Sequence, residues 1–393
     1  MRIGLFTNNY RPLQNGLAIS VDTFAHHFRA AGHRVTIVAP RYGQPTPEDS
    51  AGVIRVPGFR APTHHAYVLP IATWPGIRRA VLKQRLDIYH AQHPFLLGPA
   101  AARWARQSGR PLVFTYHTRY DRYTHYLPGP ARLVARLAVW RALRFAAHAD
   151  LVIAPAPSLA RDLKAMGLRR PIEVIPTGVP ILSLPEHARE EARRTLGLSG
   201  DPLCISVGRL APEKNHVLLL HAFCQVRAAL PAARLVLVGD GDSRKALERL
   251  SRELDLAKAV QFTGGVPHER VREYLASADL FVFPSTSETQ GLAALEALAV
   301  GVPVVAVASP AATDLFAGEE PGRIAPDNPE AFAREVIQLW RAPDRGRCGH
   351  AALRIAQRYA PEQAAARLLA VYADLLKSCG AAEHAGAPAG VQT

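Results

Sequence analysis

The stretch "LFVFPSTSETQGLAALEALAVGVPVVAV", residues 280–307, holds two apolar runs on either side of a polar loop and a helical segment. The runs, residues 280–284 and 302–307, are rich in Val and Phe, which favour buried β-strands. A helix that joins two buried strands is the connection that parallel strands require. The stretch therefore predicts a βαβ unit whose helix begins near Gly291.

The same alternation of short apolar runs and helical segments continues along the whole chain of 393 residues. It indicates parallel sheets built from βαβ units, in two series that a proline-containing segment, residues 179–190, separates. We therefore predict an α/β fold with two doubly wound domains, and ligands at the carboxyl ends of the strands. The remaining runs are residues 3–7, 35–39, 88–91, 112–116, 151–154 and 172–175 in the first series, and 203–207, 234–238 and 260–263 in the second.

The composition is that of a soluble globular protein. The residues are 48% hydrophobic and 20% charged, and no apolar run reaches the length of about 18 residues that a membrane span needs. The N-terminus lacks the apolar core of a signal peptide, and the four cysteines form no CxxC pair. These features argue against a disulfide framework or a zinc site and favour a cytoplasmic location.

The positive charge of the chain is concentrated in its first half. Residues 1–180 contain 24 Lys and Arg against 8 Asp and Glu, whereas the rest contains 23 against 25. This asymmetry indicates an anionic partner, either a membrane surface or a nucleic acid, although Arg-rich codon usage would also produce it. No zinc-finger or helix-turn-helix pattern accompanies the basic residues, which argues against nucleic acid.

Two carboxylates, Glu288 and Glu296, stand eight residues apart in the otherwise small and apolar opening stretch. Eight residues at about 100° each correspond to a net rotation of roughly 80°, which places both on one side of an extended helix. The N–H groups of residues 289–292 at the helix start suit an anion, and the carboxylates suit sugar hydroxyls. A capping acid and a surface glutamate would explain Glu288 but not Glu296, because a buried unpaired carboxylate costs several kcal/mol.

Two cations follow the strand predicted at residues 203–207. In "CISVGRLAPEKN", residues 204–215, Arg209 and Lys214 stand five residues apart on the loop and the entering helix. At the carboxyl edge of a sheet they would clamp a diphosphate from two sides. The alternative is a pair of solvated surface cations with Glu213 as a partner.

A glycine also follows the first predicted strand, in "TNNYRPLQNGLAIS", residues 7–20. Gly16 permits a close approach of the backbone to a ligand at a helix start, although an ordinary turn glycine would give the same pattern. The stretch does not contain GxGxxG, so the fingerprint of nicotinamide-binding domains is absent from it.

Together these segments resemble glycosyltransferase family 4, whose members are retaining enzymes of the two-Rossmann GT-B fold. The resemblance rests on the spacing of Glu288 and Glu296, on "EALAVGVPVVA" after them, on "SVGRLAPEKN", on "VIPTGV" and on "FTGGVPHERVREYLASADLFVFPS". It implies two domains that face each other across a cleft. The expected parts are an acceptor-binding domain at 1–180, a nucleotide-sugar-binding domain at 181–355, a helix at 356–379 that packs back on the first domain, and a disordered tail at 380–393.

The resemblance also implies roles for residues at matching positions. Arg209 and Lys214 would hold the donor diphosphate. Glu288 would face the transferred sugar, Glu296 would hold the ribose, and His117 would lie near the sugar, with His117 and Glu288 as the implied catalytic residues. The other implied donor contacts are Gly16, Gly265, Val266, Thr289, Gln290, Gly291 and Leu292. No metal is implied, because cations and helix-start amides would neutralise the charge of the diphosphate. No cofactor is implied either, because the nucleotide sugar, with UDP-glucose favoured, is a co-substrate.

A tyrosine-rich segment, "YHTRYDRYTHYLP" at residues 116–128, bears on the acceptor. With "HAQHPFLLG" at residues 90–98, it resembles the branch of the family that glucosylates diacylglycerol at membranes. Tyr120 and Tyr123 are then the implied acceptor contacts, although tyrosines at this spacing would equally form one core face of a helix. The arginine-rich segment 131–150 predicts a basic, imperfectly amphipathic helix suited to anionic lipid.

These observations predict a retaining glycosyltransferase that moves a hexose, with glucose favoured, from a nucleotide sugar to a membrane lipid such as 1,2-diacylglycerol. Front-face attack with retention is favoured over a covalent intermediate on Glu288. The alternative function is a GDP-mannose- or other sugar-nucleotide-dependent transferase acting on a lipid-linked or soluble glycan. The predicted location is cytoplasmic and peripheral, on the inner face of the plasma membrane, through the basic first half.

Overall fold

The computed structural model describes residues 1–13, 15–43, 52–61, 64–120, 131–181, 187–199 and 201–385. Within these ranges the chain folds into two compact units, each with its own parallel sheet. The first unit contains residues 1–178 together with the chain from Pro361 onward, and the second unit contains Val179–Ala360. The predicted α/β class with two doubly wound domains is confirmed.

A parallel sheet forms the centre of the first unit. Its strands are β1 (Arg2–Phe6), β2 (Arg34–Pro40), β3 (Val53–Val56), β6 (Ile88–Ala91), β7 (Leu112–Thr115), β8 (Leu151–Ala154) and β9 (Ile172–Val174), and an antiparallel pair is formed by β4 (Gly58–Ala61) and β5 (His64–Pro70). Among the described residues the sheet order is β3-β2-β1-β6-β7-β8-β9. The order reverses between β1 and β6, which opens a crevice at their carboxyl ends.

Helices cover both faces of this sheet. They are α1 (Gly16–Ala30), α2 (Ile77–Lys83), α3 (Leu97–Gln107), α4 (Ala131–Ala146) and α5 (Pro157–Ala165). Neighbouring residues of β1 enter opposite cores: Leu5 packs with Phe28 of α1, whereas Phe6 packs with Trp104 of α3. Because the strands are buried on both faces, they are seen in the sequence as continuous apolar runs.

The second unit repeats this construction. Its strands are β10 (Leu203–Val207), β11 (Arg234–Val238), β12 (Val260–Gly264), β13 (Leu280–Phe283), β14 (Val304–Val307) and β15 (Gly322–Ala325). Its helices are α6 (Ala188–Leu196), α7 (His216–Ala229), α8 (Arg244–Glu253), α9 (His268–Ser277), α10 (Leu292–Ala299), α11 (Pro310–Leu315), α12 (Pro329–Arg341) and α13 (Arg345–Gln357). In its described residues the sheet order is β12-β11-β10-β13-β14-β15, all parallel.

The C-terminal helix, α14 (Pro361–Ala385), belongs to the first unit. Its Tyr372 is fully buried, and the hydroxyl lies 2.5 Å from Nδ1 of His90 on β6. The other ring nitrogen of His90 lies 2.7 Å from the Thr115 hydroxyl, so a buried polar chain fastens the helix to the sheet.

The expected start of the tail at residue 380 is wrong, because α14 continues to Ala385. Gly380 lies within the helix and does not end it, and the backbone remains helical to Ala385. The rest of the expected tail, residues 386–393, lies outside the described residues. The segment expected as one helix at 356–379 contains the end of α13 at Gln357 and then α14 from Pro361.

Candidate active site

In the second unit the strand order reverses between β10 and β13. Arg209 and Lys214 follow the end of β10, and Glu288 follows the end of β13. In open parallel sheets such a reversal opens a crevice at the carboxyl ends of the strands, where ligands bind. The topology thus brings the predicted cations together with a predicted carboxylate that stands 74 residues away from Lys214 in sequence.

Lys214 and Glu288 form a direct ion pair. The Lys214 ammonium donates a hydrogen bond to Glu288 Oε1, and the two side chains are 19% and 17% exposed. Arg209 donates from Nη2 to Glu213 Oε1 at 2.6 Å, with Arg209 27% exposed. Glu213 is therefore the partner of Arg209, as the alternative interpretation had it, but neither cation is a solvated surface group.

The surroundings of Glu288 keep it ionised at neutral pH. Burial by itself would raise its pKa, but the Lys214 ammonium, a hydrogen bond from Ser285 and the charge of Arg209 hold the pKa below its ordinary value. The Ser287 hydroxyl donates to the Glu213 carbonyl at 3.0 Å, which ties the loop after β13 to the loop after β10. The carboxylate is therefore a fixed hydrogen-bond acceptor in the crevice.

A second loop, "GDGDS" at residues 239–243, supports the loop that carries Arg209. Leu210 makes backbone hydrogen bonds with this second loop in both directions, each 2.9 Å long. A Cβ at Gly239 would lie 2.0 Å from the Gly208 carbonyl oxygen, so only glycine fits there. Sequence reasoning missed this support, although the two glycines directly after a predicted strand were a signal for it.

Helix α10 begins at Leu292, directly after Gly291, as predicted. Gly291 has φ 85° and ψ 50°, and among the described residues no side chain caps the helix there. The first amides of such a helix have no partner within it and carry its positive dipole end. Thr289 is half-buried and Gln290 is buried on the preceding loop. Anion binding by residues 289–292 stays a prediction.

Glu296 lies on α10 among buried apolar residues, and its side chain is 16% exposed. The His268 Nε2 atom on α9 lies 3.6 Å from Glu296 Oε1. Burial raises the pKa of Glu296 to about 7, with a smaller opposing effect of Arg272, and burial also lowers the pKa of His268. Sequence reasoning missed His268, which follows Val266 by two residues. Val266 itself is half-buried in the loop between β12 and α9, where its expected base contact stays a prediction.

Gly16 is the exposed first residue of α1 in the first unit. The Asn15 side chain caps this helix by accepting a hydrogen bond from the Ala18 N–H at 2.9 Å. A side chain is absent at the exposed position 16, directly after this cap. The approach of Gly16 to the donor stays a prediction.

A polar cluster lies at the carboxyl ends of β1, β6 and β7 in the first unit. His117 Nε2 lies 2.7 Å from Gln92 Oε1, and the Asn8 N–H donates to His93 Nδ1 at 3.1 Å. Burial lowers the pKa of His117 to about 4 and that of His93 to about 3, so both imidazoles are neutral at pH 7. Asn8, Gln92 and His93 were missed, although each follows a predicted strand by one or two residues.

Tyr120 packs inside the first unit. Its ring meets those of Phe95 and Tyr116 edge to face, each at 5.4 Å between centroids, and the residue is 9% exposed. Arg119 donates to Asp162 at 3.0 Å. Tyr120 thus packs in the core, as the alternative interpretation of the tyrosine-rich segment had it. Acceptor contact by Tyr120 stays a prediction, and Tyr123 lies outside the described residues.

Within the described residues, no group of three or more His, Cys, Asp and Glu side chains is arranged to hold a metal ion. No described helix is both long enough and apolar enough to cross a membrane.

Comparison with known proteins agrees with this arrangement. The family model described as Glycosyltransferase Family 4 matches residues 14–181, and the one described as Glycosyl transferases group 1 matches residues 188–354. With the two parallel sheets and the polar crevice, these matches define a hexosyltransferase of the GT-B fold.

Several relatives have names that refer to membrane lipids. The chain is 32% identical to the alpha-monoglucosyldiacylglycerol synthase of Streptococcus pneumoniae strain R6, over 80% of this chain and 73% of the relative. It is 28% identical to the enzyme of that name from Acholeplasma laidlawii, over 88% and 89% of the two chains. It is 31% identical to a GDP-mannose-dependent alpha-(1-6)-phosphatidylinositol dimannoside mannosyltransferase of Mycobacterium tuberculosis, over 97% and 98%. The chain belongs to glycosyltransferase family 4.

Solved structures bear out the fold. A sucrose-phosphate synthase from Thermosynechococcus elongatus superposes with a TM-score of 0.79 at 22% identity, covering 96% of this chain and 99% of that one. Anabaena HepE in complex with UDP and glucose gives 0.77 at 21% identity, covering 94% and 99%. The predicted GT-B fold is confirmed.

Proposed function

We propose that this protein transfers a hexose, with retention, from a nucleotide sugar to a membrane lipid. Glucose from UDP-glucose to 1,2-diacylglycerol, giving an α-glycosyl lipid, is the favoured reaction. The observation that carries the proposal is the Lys214–Glu288 ion pair beside Arg209 in the strand-end crevice of the second unit. Two relatives named alpha-monoglucosyldiacylglycerol synthase support glucose as the sugar and diacylglycerol as the acceptor.

The charges in this crevice suit the departure of a nucleotide diphosphate. Negative charge grows on the leaving diphosphate as the glycosidic bond breaks, and preorganised cations stabilise it without reorganisation. Arg209 and Lys214 supply two such cations, and each is held in place by a carboxylate. The start of α10 adds a dipole of the same sign. These groups do what a metal ion does in other transferases, and we propose a reaction that needs none.

Glu288 has the properties of a sugar ligand. Its ionised carboxylate is fixed by Lys214, and it accepts hydrogen bonds from hydroxyls of the transferred hexose. We favour front-face attack, in which the acceptor hydroxyl bonds to the anomeric carbon on the face that the phosphate leaves. The leaving phosphate oxygen takes the hydroxyl proton. The neutral imidazole of His117 is proposed as a further hydrogen-bond partner of the sugar.

Helix α4 supports contact with a lipid surface. One of its faces exposes Leu133, Leu137 and Trp140, which are 64%, 50% and 51% exposed. Exposed arginines flank this face at positions 132, 136, 141 and 144, and the Arg144 guanidinium lies 5.3 Å from the Trp140 ring centroid. Apolar side chains ringed by arginines suit the interface of an anionic bilayer. We therefore place the protein peripherally on the inner face of the plasma membrane.

A second candidate is a mannosyltransferase. The Mycobacterium tuberculosis relative, whose name includes GDP-mannose and a phosphatidylinositol dimannoside, matches over almost the whole of both chains. Its acceptor is also a membrane lipid, so the two candidates differ in the donor and in the acceptor headgroup. Such a choice depends on pocket contacts of about 1–3 kcal/mol each.

A donor–acceptor matrix tests the proposal. Purified protein is incubated with radiolabelled UDP-glucose, UDP-galactose or GDP-mannose and with vesicles containing diacylglycerol, monoglucosyldiacylglycerol or phosphatidylinositol, and labelled lipid is extracted. We expect label in the lipid phase only with UDP-glucose and diacylglycerol, and an α-linked product. Label from GDP-mannose alone favours the second candidate, and transfer to neither lipid class contradicts both.

A further inference from the structure

Two titratable side chains meet in the second unit at a point where the donor site is expected. Glu296 projects from α10, and the His268 Nε2 atom lies 3.6 Å from its Oε1 atom. His268 is the first residue of α9 and follows directly on the loop that contains Val266. The pair therefore joins the segment expected at the nucleobase to the residue expected at the ribose.

The surroundings of the pair are mostly apolar. Helix α10 packs against α9, α13, β13 and β14. The strands β13, with the sequence LFVF, and β14, with the sequence VVAV, contain no charged residue. Helix α13 contributes Ala352, Ile355 and Ala356 to the same core. The charged groups acting on the pair come from α9. Arg272 acts on both members, and Glu269 acts on His268.

We propose that His268 is a positioning residue of the donor site, which holds the Glu296 carboxyl at the ribose and sets the pH range in which the nucleotide sugar binds. This inference rests on the proposed function, since it takes Glu296 as the ribose ligand. A ribose diol donates two hydrogen bonds, and an ionised carboxylate accepts one on each of its oxygens. A protonated Glu296 keeps one O–H that must itself donate.

Binding should therefore select the ionised form of Glu296. Burial raises the pKa of this carboxyl to about 7, so about half of the free protein is in the wrong form at neutral pH. An affinity is reduced in proportion to the fraction of competent protein, which predicts binding about tenfold weaker at pH 6 than at pH 8. A permanent cation at position 268 would favour the carboxylate and remove this dependence, whereas an apolar side chain there would increase it.

The test measures binding of UDP-glucose by isothermal titration calorimetry at pH 6, 7 and 8, with GDP-mannose in parallel. Both are diphosphate diesters, which lack the phosphate ionisation near pH 6 that free UDP has. The proteins are the wild type, Glu296→Gln, His268→Lys, His268→Leu and His268→Gln. His221→Gln, which changes an exposed histidine on α7, is the matched control.

We expect the tenfold change in the wild type and in His221→Gln, and none in Glu296→Gln. His268→Lys should bind at pH 6 as tightly as at pH 8, and His268→Leu should lose most affinity relative to the wild type at pH 6. His268→Gln, which keeps a polar group, should recover part of the affinity that His268→Leu loses. Opposite shifts by Lys and Leu would not arise from a merely structural role.

Proton release gives a second readout, which does not depend on a comparison of affinities. Titrations at pH 7 in buffers of different ionisation enthalpy should show that about half a proton leaves the wild type on binding, and none leaves His268→Lys. Binding with no proton release, or with one pH midpoint shared by all His268 variants, overturns this inference and leaves the proposed donor site standing. Failure of both nucleotide sugars to bind overturns the proposed donor site as well.

Discussion

At the scale of single residues, the ion pair of Lys214 and Glu288 defines the chemistry of the second unit. Each member would be costly to bury alone, and each is stabilised by the other at less than a fifth of its side chain exposed. The pair holds a cation and an anion side by side within one crevice, which suits the proposed binding of a diphosphate and a sugar. Both groups therefore have their charges before any ligand arrives.

Replacing the cation tests its role in stabilising the leaving group. We expect Lys214→Met to lower kcat/KM for transfer from UDP-glucose by about 10²–10³-fold, the usual effect of removing one preorganised charge donor. Lys245→Met, which changes an exposed lysine on α8, is the control and should retain wild-type kinetics. A Lys214→Met enzyme with wild-type kcat/KM would show that the ammonium does not contact the diphosphate.

Replacing the carboxylate tests its role as a sugar ligand. Glu288→Gln keeps the shape of the side chain but removes the charge that Lys214 and Ser285 stabilise. We expect turnover to fall at least tenfold, since hydrogen bonds to a charged acceptor contribute about 1.5–3 kcal/mol. Near-full turnover of this variant, measured in the same lipid-extraction assay, would refute the placement of Glu288 at the hexose.

At the scale of elements, the loops after β10 and β11 act as one structure. Backbone hydrogen bonds join Leu210 to the loop 239–243, and the Gly208 carbonyl fills the space above Gly239. The glycines at these strand ends let two loops approach closely enough to fix Arg209. We therefore expect the geometry of the proposed diphosphate site to depend on residues that do not touch the ligand.

A side chain at position 239 should lower both the stability of the protein and its affinity for UDP-glucose. We expect Gly239→Ala to lower the free energy of unfolding by about 1–3 kcal/mol, because the new Cβ displaces the Gly208 carbonyl. It should also weaken UDP-glucose binding, as measured by calorimetry. Gly346→Ala is the control, since its Cβ would meet nothing within 4 Å on α13. Wild-type stability and affinity in Gly239→Ala would show that the loops are not coupled.

The exposed apolar face of helix α4 should bind anionic vesicles. Its exposed leucines and Trp140 should enter the headgroup region of anionic vesicles, so Trp140 fluorescence should shift to the blue and binding should weaken with salt. The double variant Leu133→Asp, Leu137→Asp should lose most vesicle binding. Val217→Asp, at an exposed apolar residue of α7, is the control. Equal binding to neutral and anionic vesicles would contradict the proposal.

At the scale of the whole molecule, buried neutral histidines should make stability depend on pH. Burial lowers the pKa of His90 and His93 to about 3 and of His117 and His216 to about 4. The unfolded chain binds these protons near pH 6.5, so the free energy of unfolding should fall as the pH drops from about 6.5 towards 4. Glu296 opposes this by one proton, because its raised pKa keeps it protonated in the folded state.

A net difference of about three protons predicts a loss of about 4 kcal/mol per pH unit near pH 5. Urea unfolding at pH 5, 6 and 7.5 measures it. His117→Gln, which cannot take up a proton, should reduce the slope by about one third. Equal stability at pH 5 and pH 7.5 would contradict the assignment of these histidines as neutral and buried.

Buried strands were predicted from the sequence more often than exposed ones. Most of the central strands were predicted, because residues buried on both faces form continuous apolar runs. The strands that were missed, β3 and β15 at sheet edges and the pair β4 and β5, have exposed or half-buried positions. In β3, β4 and β15 the sequence is only four residues long and includes an arginine, which interrupts the apolar run.

By itself the sequence determined the fold class, the start of α10 and the residue types of the candidate site, because these depend on local pattern and spacing. Only the tertiary structure decided which charges meet. Lys214 takes Glu288 rather than a neighbour in sequence, Glu296 meets His268, and Gly239 supports Gly208. These contacts join residues about 30 to 74 positions apart. Strand order in the sheet, set by packing of the whole unit, brings them together.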